Sequence, residues 1–178
     1  MARIPLPVLR RLPAIRGLIL DVDGVLTDGR LSFGPPDEMK SFHVRDGHGI
    51  ALLLRSGFLV GVISGRSGAA TERRLSDLGI RDFILGVRDK SSAMDTLLTR
   101  WSLDSSLIAA MGDDVTDMPL LGRAGLSIAP ADSHRSVLRA VDWITTAPGG
   151  AGAVRQVSDA LLFTQKRTGK GTGEDHRC

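Results

Sequence analysis

The chain predicts an open α/β sandwich in which a mostly parallel sheet is covered by helices on both faces. Short apolar runs bounded by turn residues alternate with amphipathic stretches of helical period, and carboxylates end two of the apolar runs. A composition of 42% apolar and 24% charged residues over 178 positions fits one globular domain and excludes disorder as its main state. Aromatics are only 4% and Tyr is absent, so the core is expected to rest on Leu, Ile, Val and Ala.

Taken in chain order, strands are expected at 17–20, 59–63, 82–85, 107–111, 126–128 and 143–144. Helices are expected at 47–55, 68–78, 90–101, 118–123, 136–140 and 152–163, with Gly57 and Gly79 where helices end. One segment, 27–46, breaks the alternation. Leu31-Ser-Phe33 and Met39-Lys-Ser-Phe-His-Val44 flank the turn-rich Gly34-Pro35-Pro36-Asp37, which reads as a β-hairpin flap standing off the sheet. Residues 1–14 read as a basic arm broken by Pro5, Pro7 and Pro13, and 15–164 as the domain. The polar 165–178 segment has no periodicity and is expected to be disordered.

A pI near 9.6 invites a nucleic-acid reading, but the excess sits at the ends. Arg3, Arg10, Arg11 and Arg16 precede the first strand, while Lys166, Arg167, Lys170 and Arg177 face only Glu174 and Asp175 in the tail. Setting aside those six net positive charges turns the overall +3 into −3 for the body, so no folded basic face for nucleic acid is expected. The single cysteine, Cys178, excludes an intramolecular disulfide. No apolar run has the length of a membrane span and the N-terminus lacks a secretory pattern, so the expected location is the cytoplasm.

The chemistry is concentrated at the ends of predicted strands, where open α/β sheets hold ligands. Asp21 and Asp23 end the first apolar run, followed by Gly24, Thr27 and Asp28. Asp is a poor strand former, and residues at alternate positions project to one face. Such carboxylates serve either as turn formers or as a nucleophile beside an acid/base. In Gly112-Asp113-Asp114-Val-Thr-Asp117 three close acids repel unless a cation is held among them, although Asp117 before Met118-Pro119 is equally a helix N-cap. Ser64-Gly65-Arg66 offers a hydroxyl and turn amides to a phosphate oxygen, or is ordinary loop punctuation. Lys90 stands at a strand-to-helix junction in a body that otherwise holds only Lys40 among many arginines.

Together these parts make one chemistry. Asp21 attacks phosphorus, Asp23 protonates the leaving oxygen and later deprotonates water, Mg²⁺ sits between Asp21 and Asp113, and Ser64 and Lys90 stabilise the phosphoryl oxygens. His43 and His48 lack a third nitrogen or sulfur ligand nearby, which excludes a zinc site, and Trp101 and Trp143 read as packing residues.

The order Asp-x-Asp-Gly-Val-Leu-Thr-Asp, Ser-Gly-Arg, Lys, Gly-Asp-Asp-x-x-Asp resembles the haloacid dehalogenase superfamily of phosphohydrolases over about residues 15–164. The resemblance implies a Rossmann-like three-layer sandwich and an aspartyl-phosphate on Asp21. It also implies acid/base work by Asp23, and Mg²⁺ bound by Asp21, the Asp23 main-chain carbonyl and Asp113. Ser64 and Lys90 match its phosphate-binding positions; Asp114, Asp117, Gly24 and Gly65 match supporting ones. The runs from Ile15 to Gly29, Phe42 to Ile50 and Gly149 to Arg155 are similar to the cap-less subgroup of 3-deoxy-D-manno-octulosonate 8-phosphate phosphatases. That subgroup implies hydrolysis of a sugar-acid phosphate by a homotetramer, with Phe33 and Phe42 as interface residues unless they pack internally.

The chain departs from the subgroup at Ala151, where Gly-Gly-Arg-Gly is usual, and at Gln156, where Glu is expected. Without that arginine, Arg45, Arg66 and Arg155, with Thr27, are the substrate-binding candidates, since guanidinium matches carboxylate bidentately. A nonulosonate 9-phosphate phosphatase is the nearest alternative. A phosphoacceptor switch is disfavoured by Asp23, which would speed loss of the phosphoryl group, and a non-catalytic interaction module by the completeness of the residue set.

Overall fold

The computed structural model describes residues 4–34 and 38–167. After α1 (Leu6–Arg11) and a 3₁₀ turn, β1 (Gly17–Leu20) leads to a hairpin of β2 (Ser32–Phe33) and β3 (Glu38–Met39). There follow α2 (Val44–Arg55), β4 (Leu59–Ser64), α3 (Ala69–Asp77), β5 (Asp82–Leu85), α4 (Lys90–Trp101) and β6 (Ile108–Met111). The chain continues through α5 (Met118–Leu121), β7 (Leu126–Ala129), α6 (Arg135–Leu138), β8 (Trp143–Ile144) and α7 (Ala153–Arg167). Six strands form one parallel sheet in the order β5-β4-β1-β6-β7-β8, and β2 and β3 pair antiparallel apart from it.

Strand alternation builds the two cores. Leu18 and Leu20 of β1, with Ala109 and Met111 of β6, face a core shared with α1, α2, α3 and α7, while Ile19, Ile108 and Ala110 face α4, α5 and α6. Every β1 residue is buried, the mark of a strand covered on both sides. Gly17 and Gly61 leave the space that the Trp101 ring occupies, and its indole N–H donates to Asp82 at 2.8 Å. No helix among the described residues is long and apolar enough to cross a membrane.

The N-terminal segment departs from the expected arm. Prolines in the first helical turn are compatible with a helix, so Pro5 and Pro7 start α1 rather than prevent it, and Val8 and Leu12 are buried in the core. Arg11 donates to the Gly125 carbonyl at 2.9 Å and pairs with Asp142, so part of the basic end is bound to the body. Helix α7 runs on to Arg167, past the expected end at 163; the tail from 168 and the turn residues 35–37 lie outside the described residues. Phe42 packs against the core under Arg74, whereas Phe33 is 75% exposed.

Strand order reverses at β1: the chain goes first to β4 and β5 on one side, then crosses to β6, β7 and β8 on the other. Adjacent loops therefore part at the carboxyl ends of β1 and β6, which opens a crevice there.

Candidate active site

The crevice is a cavity of about 580 Å³ lined by Asp21, Asp23, Gly29, Ser64, Gly65, Arg66, Val87, Arg88, Lys90, Asp113, Asp114 and Thr116. Four separate strand ends, those of β1, β4, β5 and β6, thus deliver the lining, and tight turns aim it.

At the centre Lys90 enters from the first turn of α4. Its ammonium lies 3.0 Å from Asp21 Oδ1 and 2.6 Å from Asp117 Oδ1, almost out of contact with solvent. Asp89 caps α4 by accepting from the Ser91 and Ser92 amides, which fixes the position from which Lys90 projects. Burial alone would lower the Lys90 pKa, but the charges of Asp21 and Asp117 outweigh it and hold the ammonium above its ordinary value.

Asp117 is neither a simple N-cap nor a free ligand. Its Oδ2 accepts from the Asp113 and Asp114 amides at 3.0 and 3.2 Å, and its Oδ1 takes Lys90, while Asp114 completes a reciprocal capping box. Both oxygens are spent on holding the acidic loop and the lysine. Asp113 is different: its Oδ1 is buried with no hydrogen-bond partner. A Cβ at Gly24, whose φ is +90°, would overlap the Asp113 carboxylate, so only glycine lets the two loops meet.

Carboxylate oxygens of Asp21, Asp113 and Asp117 lie within 4.8 Å of one another. Burial, then the Asp117 charge, push the Asp21 carboxyl up to about 6 against the pull of Lys90. Burial and the charges of Asp21, Asp117 and Asp114 push Asp113 up to about 7. Three carboxylates facing one ammonium leave a charge deficit that a divalent cation would fill. Oxygen-only donors and an orphaned buried oxygen therefore fit Mg²⁺.

Around this centre, Ser64 is buried at the end of β4, with its Oγ accepting from the Arg66 amide at 3.2 Å. Asp23 faces the same cavity, its Oδ1 held at 2.6 Å by Lys40 and its Oδ2 3.7 Å from Arg66 Nε. The structure thus brings together Asp21, Asp23, Ser64, Gly65, Arg66, Lys90, Asp113 and Asp114 from the sequence expectation, with Gly24 and Asp117 packed behind them.

Three expected substrate contacts are placed elsewhere within the chain. Thr27 is buried, its hydroxyl bonded to the Val22 carbonyl and the Gly24 and Gly29 amides, so it ties the β1 loop instead. Arg45 is exposed on α2, outside the cavity. Arg155 on α7 donates to Asp159 at 2.7 Å and lines a separate groove against Ile4, Leu9 and Phe163. Gly149 and Gly150 are packing residues, since a Cβ on either would enter the backbone of Gly24 or Thr27. Two cavity or cavity-adjacent cations escaped the sequence reading, Arg88 and Lys40. Arg88 stands two residues before Lys90 in the same junction, a clue that the spacing offered.

Comparison with known proteins agrees with this geometry. Residues 86–156 match the family of haloacid dehalogenase-like hydrolases. The chain is 40% identical over 168 residues to 3-deoxy-D-manno-octulosonate 8-phosphate phosphatase KdsC of Escherichia coli K12, covering 94% of this chain and 89% of that one. The crystal structure of the Yersinia pestis 3-deoxy-D-manno-octulosonate 8-phosphate phosphatase superposes with a TM-score of 0.88 at 40% identity, over 94% of this chain and 91% of that one. That of the Moraxella catarrhalis phosphatase, in complex with magnesium, phosphate and KDO, superposes with a TM-score of 0.87 at 34% identity, over 90% and 93% of the two chains. A cap-less α/β core, the acid-lined crevice and these likenesses converge: the chain belongs to the 3-deoxy-D-manno-octulosonate 8-phosphate phosphatase family of haloacid dehalogenase-like hydrolases.

Proposed function

We propose that this chain is a Mg²⁺-dependent phosphomonoesterase that converts 3-deoxy-D-manno-octulosonate 8-phosphate to 3-deoxy-D-manno-octulosonate and phosphate. The observation that carries the reading is the Asp21–Lys90–Asp117 network beside the unpartnered Asp113 oxygen, opposite Ser64 and next to Asp23. Lys90 and Ser64 receive the phosphoryl oxygens and hold phosphorus against Asp21. Asp21 attacks, the ester bond to the sugar oxygen breaks, and Asp23 gives that oxygen its proton. Asp23 then takes a proton from the water that attacks the aspartyl-phosphate, which frees phosphate and leaves Asp21 a carboxylate and Asp23 protonated again. Bound Mg²⁺, held by Asp21, Asp113 and the Asp23 main-chain carbonyl, supplies positive charge against the phosphoryl group.

Beyond the phosphoryl group, Arg66 and Arg88 line the rest of the cavity and suit a second anion such as a sugar carboxylate. Ala151, in place of the subgroup's arginine, favours a close variant of the substrate as the second reading, a nonulosonate 9-phosphate. Exposed Leu31, Phe33 and Met39 on the hairpin support assembly into a homotetramer. Phosphate release from a panel of sugar and sugar-acid phosphates, with Mg²⁺ and with a chelator, tests the reading. Metal-dependent preference for the octulosonate ester supports it; preference for the nonulosonate ester moves the substrate, and equal rates on all esters remove dedicated specificity.

A further inference from the structure

Lys40 follows β3 on the hairpin, yet its side chain is only 4% exposed. Burying an ammonium is costly unless an anion meets it, and Asp23 meets this one, with Nζ 2.6 Å from Oδ1. The opposite oxygen, Asp23 Oδ2, is buried and has no hydrogen-bond partner. Arg66 Nε is 3.7 Å from it, beyond hydrogen-bonding range. The two oxygens of one carboxylate are therefore unlike: one is clamped by Lys40 and the other is left without a hydrogen bond, in a residue that lines the cavity.

We infer that Lys40 is a positioning residue for the reaction, which clamps Asp23 Oδ1 and so assigns Oδ2 as the atom that gives and takes the proton. The inference rests on Asp23 acting as the general acid. An ammonium has donors only, so the electron density Oδ1 gives to Lys40 leaves Oδ2 the more basic of the two oxygens and the favoured one for the proton. The proton on Oδ2 passes to the leaving sugar oxygen as the phosphorus–oxygen bond breaks, and the negative charge left on Asp23 faces Lys40. In the second half the proton of the attacking water returns to Oδ2. Because Lys40 comes from the hairpin, this segment is joined to the chemistry through Asp23.

The test uses leaving groups. Nitrophenolate departs from p-nitrophenyl phosphate without a proton, whereas phenol departs poorly from phenyl phosphate unless one is supplied. The ratio of kcat/KM for these two esters is independent of the folded fraction, so a partly misfolded variant does not spoil it. Lys40→Met is expected to lose about tenfold or more activity on phenyl phosphate beyond its loss on p-nitrophenyl phosphate, whereas Lys40→Arg keeps the wild-type ratio. Asp23→Asn is expected to show the larger discrimination, and adding Lys40→Met to it should add none, because the lysine acts through that carboxylate. Equal losses on both esters in Lys40→Met, with discrimination retained in Asp23→Asn, would reduce Lys40 to an anchor for the hairpin. Equal losses in Asp23→Asn itself would instead overturn the general-acid reading, and the inference with it.

Discussion

Asp46 and Asp113 each hold a carboxylate oxygen out of water, and they meet that cost in opposite ways. Asp46 on α2 is 1% exposed, and its oxygens accept from the Gly152 and Arg155 amides at 3.1 and 2.7 Å. It satisfies orphan donors at the start of α7, and Gly49 next to it lets Ser158 of α7 approach closely. Asp113 has a buried oxygen with no partner, and its neighbours Asp21, Asp117 and Asp114 repel it. Asp46 is satisfied by the protein itself, whereas this oxygen is left unsatisfied at a strand end, where the proposed function would complete it with a divalent cation.

Substituting each carboxylate should therefore have opposite effects. Asp113→Asn is expected to lower Mg²⁺-dependent phosphate release by about 100-fold or more. It should also raise the Tm of the chelated protein above that of wild type at pH 8, because it removes a destabilising charge. Asp46→Ala is expected to lower stability by about 2–3 kcal/mol in urea unfolding, through loss of the α7 cap and exposure of unmet amides, with Mg²⁺ affinity unchanged. A chelated Asp113→Asn protein that melts below wild type would break the contrast.

The pH dependence sharpens it. Asp21 and Asp113 are raised to about 6 and about 7, above the ordinary carboxyl value, so the metal-free fold keeps protons that the unfolded chain has released. Stability of the chelated protein should thus fall as pH rises from about 4 through 7. Asp46, raised by burial against the pull of its amide partners, contributes in the same direction. Excess Mg²⁺ should remove the part due to Asp21 and Asp113 and leave the part due to Asp46, visible as a shallower Tm slope against pH. The smallest effect expected is that of Arg88→Ala, a rise of about threefold to tenfold in KM for a sugar-acid phosphate with little change for p-nitrophenyl phosphate.

Much of this was legible in the residues. The six parallel strands followed from short apolar runs, and α4 takes its expected bounds, 90–101, with Asp89 supplying the N-cap that the sequence reading did not use. Asp21, Asp23, Ser64, Lys90 and Asp113 were readable because each ends a strand or opens the next helix, where topology alone gathers them. Lys40 was not, since its partner Asp23 lies 17 residues back and meets it only through the fold of the hairpin. Thr27, Arg45 and Arg155 show the converse: residue type and motif position say nothing of which way a side chain points, and local hydrogen bonds or a helix face turned them elsewhere. Residues 6–11 hid a helix because prolines that start a short helix look the same in sequence as prolines that break one.

The most direct test of the unsatisfied carboxylate as the metal site is calorimetric titration of Mg²⁺ into chelator-stripped protein at pH 6.5 and 8.5, in buffers of different ionisation enthalpy. Binding should release about one proton at the lower pH and almost none at the higher, and Asp113→Asn should abolish binding while Asp46→Ala leaves it intact. Binding without proton release at either pH, or unaltered binding by Asp113→Asn, would contradict it.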